Sequence, residues 1–411
     1  MFDRRDFLRL SAATAAGLAL GPPLRAEVAR ADLKFIFLIV HGGWDPTRVF
    51  TDTFDSPQIS MEADAERAEL GDLMWVSHPD RPAVDDFFEA WAANCLVVNG
   101  IVVPSVSHAD CTQLALTGSN IEAAGDWPVL IAQAAQDRFA LPHTIVHGPN
   151  VPGNYASMVT RIGSNGYVEG LLSGELITRS DVRLPPLDAE IAALVERQAL
   201  AQAAARAPDA AVFETLASAD VRAQVVEGLV DEVRWGRDLA LTSQAVQAVD
   251  FLRLGMSRCV TIADDDRTWD SHELNDEKQS VMFQGLFTAL NALMDELATT
   301  PGQAADTLAE ETVVVLMSEM GRTPFLNSGR GKDHWGHTSS LIVGPGFATG
   351  RTVGGFSDLF YGAPVDRTSG ALTESGVALH AKLFGATLLA AADVDPAPLL
   401  RGEEPVEGWL G

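Results

Sequence analysis

The chain has 411 residues, 47% of them hydrophobic, and a formal net charge of −27. That is material for a large core, in one big domain or two tightly joined lobes, and so acidic a surface disfavours nucleic acid and anionic lipid as partners. Three cysteines, Cys95, Cys111 and Cys259, permit one disulfide at most and exclude a disulfide framework.

Residues 1–31 read as an export signal. Arg4 and Arg5 are followed by Phe7 and Leu8, a weakly apolar run SAATAAGLALG comes next, and Ala29 to Ala31 make a small-x-small cleavage site. The expected partner is the twin-arginine export machinery, and the expected location is periplasmic or extracellular. The apolar run is too short and too rich in Ala and Gly to span a bilayer, so no stable membrane anchor is expected.

Residues 32–411 are expected to form a single domain. Apolar, β-branched runs recur through it: FIFLIV (35–40), CLVVNGIVV (95–103), HTIVHG (143–148), CVTIAD (259–264), TVVVLM (312–317) and SSLIVG (339–344). Runs of this kind suit strands buried on both faces of a mostly parallel sheet. Helical patterns lie between them, such as SVMFQGLFTALNALMDELAT before TVVVLM, which predicts a layered α/β fold. From about 184 to 254 the composition turns to Ala, Glu, Gln and Arg, with Leu, Ile and Val every three to four residues. That spacing predicts a helical insertion.

In an open α/β sheet, ligands bind beyond the carboxyl ends of the strands. His41, Gly42, Gly43 and Asp45 follow the first run, Ser107 and His108 the second, Asp270 and His272 the fourth, and Ser318, Glu319 and Arg322 the fifth; Asp333, His334 and His337 precede the sixth. Imidazole nitrogens and carboxylate oxygens are the ligand set for zinc and, with more oxygens, for manganese, magnesium or calcium. No D-x-D-x-D-G loop is present, which argues against an EF-hand.

The motifs LIVHGGWD, SHADCTQLALTGS, WDSHELN, VVVLMSEMGRTP and DHWGHTSSLIVGPG resemble those of the alkaline phosphatase and sulfatase superfamily, in an uncharacterised twin-arginine-exported branch. The resemblance implies an alkaline-phosphatase-like three-layer α/β/α sandwich. It also implies hydrolysis of a small anionic phosphate or sulfate ester, and one or two divalent ions, zinc or manganese first among them. By resemblance the ligands are Asp270, His272 and His337, with His334 as its rival, and Glu319, Asp45 and His41 near a second position. Met320 stands where the family has a histidine ligand. Counting nine residues back from Thr117 reaches His108 where the family has its nucleophile, so His108 is open to three roles: nucleophile, proton carrier or ligand. Ser107 beside it offers a hydroxyl, and Arg322 is placed to neutralise an ester oxygen. The other reading is a non-catalytic exported binding or assembly protein that keeps the fold.

Overall fold

The computed structural model describes residues 28–162 and 238–411, with 191, 193–194, 197–198, 201–202, 225–226 and 228–236 between them. The twin arginines and most of the expected export signal lie outside the described residues, as does most of the expected helical insertion. The described end of that insertion, Leu241–Arg253, is helix. Among the described residues no helix is long and apolar enough to cross a membrane.

In chain order the elements that matter begin with strand β1 (Lys34–Val40), the hairpin β2 (Glu66–Leu70) and β3 (Leu73–Ser77), helix α1 (Pro82–Trp91) and β4 (Cys95–Val102). Helices α2 (His108–Thr117) and α3 (Trp127–Gln133) precede the short strands β5 (His143–Ile145) and β6 (Val159–Arg161). Then come α4 (Leu241–Arg253), β7 (Cys259–Asp264), α5 (Asn275–Thr299), β8 (Thr312–Ser318), β9 (Gly321–Arg322), β10 (His334–Trp335), β11 (His337–Val343), β12 (Arg351–Gly354) and α6 (Ala381–Ala391). Each of the six apolar runs picked out in the sequence carries a strand.

Those six, with β6 and β12, form one sheet in the order β12-β4-β11-β8-β1-β7-β5-β6. All seven residues of β1 are buried, because side chains alternate between faces and both faces are covered. Ile36, Leu38 and Val40 pack with Phe87 and Phe88 of α1, Val249 of α4 and Phe283 of α5. Phe35, Phe37 and Ile39 pack on the other side with Cys111 of α2, Ile131 of α3 and Leu388 of α6. Two cores on one sheet make a three-layer α/β/α sandwich, the fold class expected. Each such large apolar side chain contributes about 1.5–3 kcal/mol of burial, so a charge at Phe37 or Ile39 would break the fold.

The sheet departs from all-parallel order at one strand. β11 runs antiparallel to both its neighbours, β4 and β8, whereas the β1, β7 and β8 ladders are parallel. The reversal places the first residue of β11, His337, opposite Val102 at the carboxyl end of β4. The chain thus enters β11 at the same edge where β1, β4, β7 and β8 end.

Candidate metal centre

The turn after β1 is built for close approach. Gly42 and Gly43 have φ of 130° and 80°, and a Cβ on Gly42 would sit 2.6 Å from Cβ of Trp269. With glycine there, the two amides donate to the carboxylate of Glu319 at 2.8 and 3.3 Å, and the Ser318 hydroxyl donates to it at 3.0 Å. The HGG turn therefore cradles a carboxylate of its own chain. Burial opposes the ionisation of Glu319, but the hydrogen bond from His108, the nearby His41 ring and the Gly42 amide outweigh it and hold the pKa below its ordinary value.

Three imidazoles converge beside it. His108, at the start of α2, places Nδ1 2.8 Å from Glu319 Oε1, and this bond raises its pKa against the opposing effect of burial. His272 Nδ1 lies 2.9 Å from Asp333 Oδ1, and His334 Nδ1 lies 2.7 Å from the carbonyl of Val106. All three Nδ1 atoms face pure acceptors, which assigns the ring protons to Nδ1 and the lone pairs to Nε2 in the neutral rings. Those Nε2 atoms turn to one carboxylate oxygen, Oδ1 of Asp270, at 3.6 Å from His108, 3.2 Å from His272 and 3.0 Å from His334. The Nε2 atoms of His272 and His334 are 3.1 Å apart.

Electron-rich atoms this close repel one another unless a cation or shared protons lie among them. Imidazoles tied back through their other nitrogen to carboxylate or carbonyl are the usual supports of a metal site. The ligand atoms of His108, Asp270 and His334 lie within 4.8 Å of one another, and so do those of His41, His108 and Glu319. The donor set fits a divalent ion, and its nitrogen content fits zinc better than calcium or magnesium.

The structure corrects three expectations. Asp45 lies outside the cluster: it is fully buried, 2.8 Å from Nζ of Lys332, and accepts from Asn275 Nδ2 at 2.9 Å and Thr47 Oγ1 at 2.7 Å. Its carboxylate neutralises two buried cations, Lys332 and Arg48, and with the Thr47 amide at 3.0 Å its four lone-pair positions are taken, so none is left for an ion. His337 turns elsewhere too, packing on Trp335 and Tyr361 and accepting from the Gly362 amide at 3.0 Å, while burial lowers its pKa. The rival, His334, takes its place.

Arg322 is fully buried and cannot clamp an ester oxygen. Its guanidinium donates to Gly42 O, to Gly43 O at 2.9 Å, Lys332 O at 3.2 Å, Trp269 O at 3.3 Å and Asp270 Oδ1 at 2.6 Å. Burial opposes ionisation of Asp270, yet Arg322 and His334 hold its carboxyl well below the usual range. Ser107 is exposed as the N-cap of α2 and its hydroxyl makes no capping bond. Met320 is buried in the apolar core.

The family model described as protein of unknown function (DUF1501) matches residues 188–399, just over half of the 411-residue chain. The chain belongs to this family. No curated protein matches it. Solved structures similar to this DUF1501 chain include an alkaline phosphatase superfamily protein from Vibrio parahaemolyticus, at 10% identity and TM-score 0.43, covering 98% of this chain and 78% of that one. Another is the PsFucS1 sulfatase from Pseudoalteromonas sp., at 9% identity and TM-score 0.39, covering 98% and 75%. A third is a phosphonate monoester hydrolase from Agrobacterium radiobacter, at 11% identity and TM-score 0.33, covering 92% and 78%.

In the DUF1501 chain, His41, His108, Asp270, His272, Glu319 and His334 thus come together at the carboxyl edge of the sheet. Asp333 joins them through His272; an acidic residue one position before His334 carries no sequence signal of that role. A cavity of about 520 Å³, lined in part by Leu114, Thr117, Tyr155 and Lys382, lies at the opposite end of α2 from His108.

Proposed function

We propose that this protein is an exported, divalent-metal-dependent hydrolase of a small phosphate or sulfate ester. The observation that carries the metal is the convergence of three imidazole Nε2 atoms on the single oxygen Asp270 Oδ1. The ester class rests on the motif resemblance, and the export route on the twin arginines Arg4 and Arg5.

Asp270, His334, His272 and His108 would hold the ion through one atom each, while Glu319, whose two oxygens already take donors from Gly42, Gly43, Ser318 and His108, braces His108 from behind. When bound, a divalent ion supplies Lewis acidity toward an ester oxygen. Arg322 keeps Asp270 ionised, and Glu319 keeps the His108 proton on Nδ1 so that Nε2 faces the cluster. This use of both His108 nitrogens favours the ligand role over that of nucleophile. The His41 ring lies 5.5 Å from the His108 ring at a tilt of 40°, and its nitrogens make no hydrogen bond among the described residues, which leaves it free to carry a proton.

The test is elemental analysis of protein purified from its native host, followed by assay of aryl phosphate and aryl sulfate esters with zinc or manganese. Turnover that disappears in Asp270→Ala and His334→Ala supports the proposal. A second reading, a binding or assembly protein, is favoured by the burial of Met320 at the family's ligand position and by the engagement of both His108 nitrogens. Stoichiometric metal without turnover of any ester would select it.

A further inference from the structure

The segment from Asn327 to Asp333 lies along Ser271–Asn275 like a splint. Lys332 N donates to Ser271 O at 3.1 Å, Leu274 N to Gly329 O at 3.3 Å, and Asn275 N to Arg330 O at 2.8 Å. At Gly331 the approach is so close that a Cβ would lie 1.8 Å from the carbonyl oxygen of His272.

Asn327 organises this contact. Its Oδ1 accepts from the amides of Gly329 at 2.9 Å and Gly331 at 3.0 Å, which folds the loop. Its Nδ2 donates to His272 O at 3.1 Å and to Asp333 Oδ1 at 3.4 Å. Asp333 Oδ1 in turn faces His272 Nδ1 at 2.9 Å. One amide side chain therefore holds His272 by its backbone and also steadies the carboxylate that holds its ring.

All three imidazoles are held through Nδ1, but the need for support is greatest at His272. His272 has 44% of its side chain exposed, against 30% for His108 and 19% for His334. An imidazole so open to water is free to rotate and to exchange tautomers unless something restrains it. Burial limits His108 and His334, whereas His272 depends on the splint.

We infer that Asp333 and Asn327 are positioning residues for His272, fixing its Nε2 lone pair toward Asp270 before any ion arrives. The inference rests on reading the cluster as a metal centre. Its effect is to convert a mobile surface histidine into a preorganised ligand, and removal of such supporting groups weakens metal binding by about 10–100-fold.

The experiment uses the full chain stripped of metal. Zinc affinity is read by competition with a chromophoric chelator, and the His272 tautomer by imidazole nitrogen NMR of the zinc-free protein at about pH 8, above the ordinary histidine range. Asp333→Ala should weaken zinc by about 10–100-fold with unchanged thermal unfolding of the zinc-free chain. Asp333→Asn, whose amide oxygen can still accept from Nδ1, should recover part of the loss. Asn327→Ala should weaken zinc less than Asp333→Ala, and in a His272→Ala background Asp333→Ala should cost nothing further. An equal loss in both backgrounds, or no loss in either, overturns the inference.

The tautomer separates this failure from that of the metal centre. A wild-type His272 carrying its proton on Nε2 overturns the positioning role outright. A wild-type chain that binds no zinc, yet loses its Nδ1–H tautomer in Asp333→Ala, removes the metal centre and retains the positioning role.

Discussion

Arg322→Lys distinguishes an internal anchor from a substrate clamp. The guanidinium serves four backbone carbonyls and Asp270, and the residues bearing those carbonyls, Gly42, Gly43, Trp269 and Lys332, are all buried. A lysine ammonium is a point donor without the planar fork; it can reach Asp270 and a neighbouring oxygen but not all five acceptors. Trp269 O and Gly43 O keep Gln279 Nε2 as a donor, so at least one of the carbonyls of Gly42 and Lys332 is left without any, and a loss of about 1–3 kcal/mol is expected. That is a large share of the about 5–15 kcal/mol that holds a typical domain together. Urea unfolding of the zinc-free chain, followed by the fluorescence of buried tryptophans such as Trp44 and Trp269, measures it as a lowered midpoint. Stability within about 0.5 kcal/mol of wild type, with a raised KM for an ester as the sole defect, would show that the arginine contacts substrate and that the reasoning is wrong.

His334→Ala should abolish stoichiometric zinc binding, whereas His337→Ala should leave it nearly intact; chelator competition on the two variants decides between them. Asp45→Asn should destabilise the chain at pH 7 by about 3–5 kcal/mol, since Lys332 stays buried without its counter-charge, whereas Arg48 keeps Asp276 and Glu62. For Asp45, burial opposes ionisation but Lys332 and Arg48 prevail, so the folded pKa lies below the unfolded one. Its stabilisation is therefore full above the unfolded pKa of about 4 and fades as the pH falls below it; urea midpoints of wild type and Asp45→Asn should converge toward acid. The three cysteines are buried and free, and burial pushes the thiol of Cys111 up to about 11 and those of Cys95 and Cys259 higher still. A thiol reagent should label none of them in the native protein and all of them in denaturant.

The long apolar strands were legible because burial on both faces leaves an unbroken run, as in β1 and β8. The hairpin β2 and β3 was not, since β2 (ERAEL) is largely exposed and charged. The short strands β6 and β12 draw their order from ladder partners instead of from their own composition. At the site, the sequence brought the right loops to one edge but could not rank residues within a loop. In extended chain, positions three apart face opposite sides, so only one of His334 and His337 could meet the cluster, and nothing local says which. Asp45 and Arg322 were misread for a related reason: their partners, Lys332 and the carbonyls of Gly42 and Gly43, are distant in sequence and polar groups that the core could not otherwise accommodate.

The side chains gathered around Asp270 are numbered from 41 to 334, and they arrive from the ends of separate strands and from loops between them. Residues 270–334 hold Asp270, His272 and His334 with Arg322 and Asp333, but His108 and the Val106 carbonyl that orients His334 come from far earlier in the chain, so the full set needs both halves. Ion uptake would consequently mark the end of folding and not its beginning. In a refolding time course, zinc capture should lag behind the recovery of helical signal and coincide with the closing of the sheet.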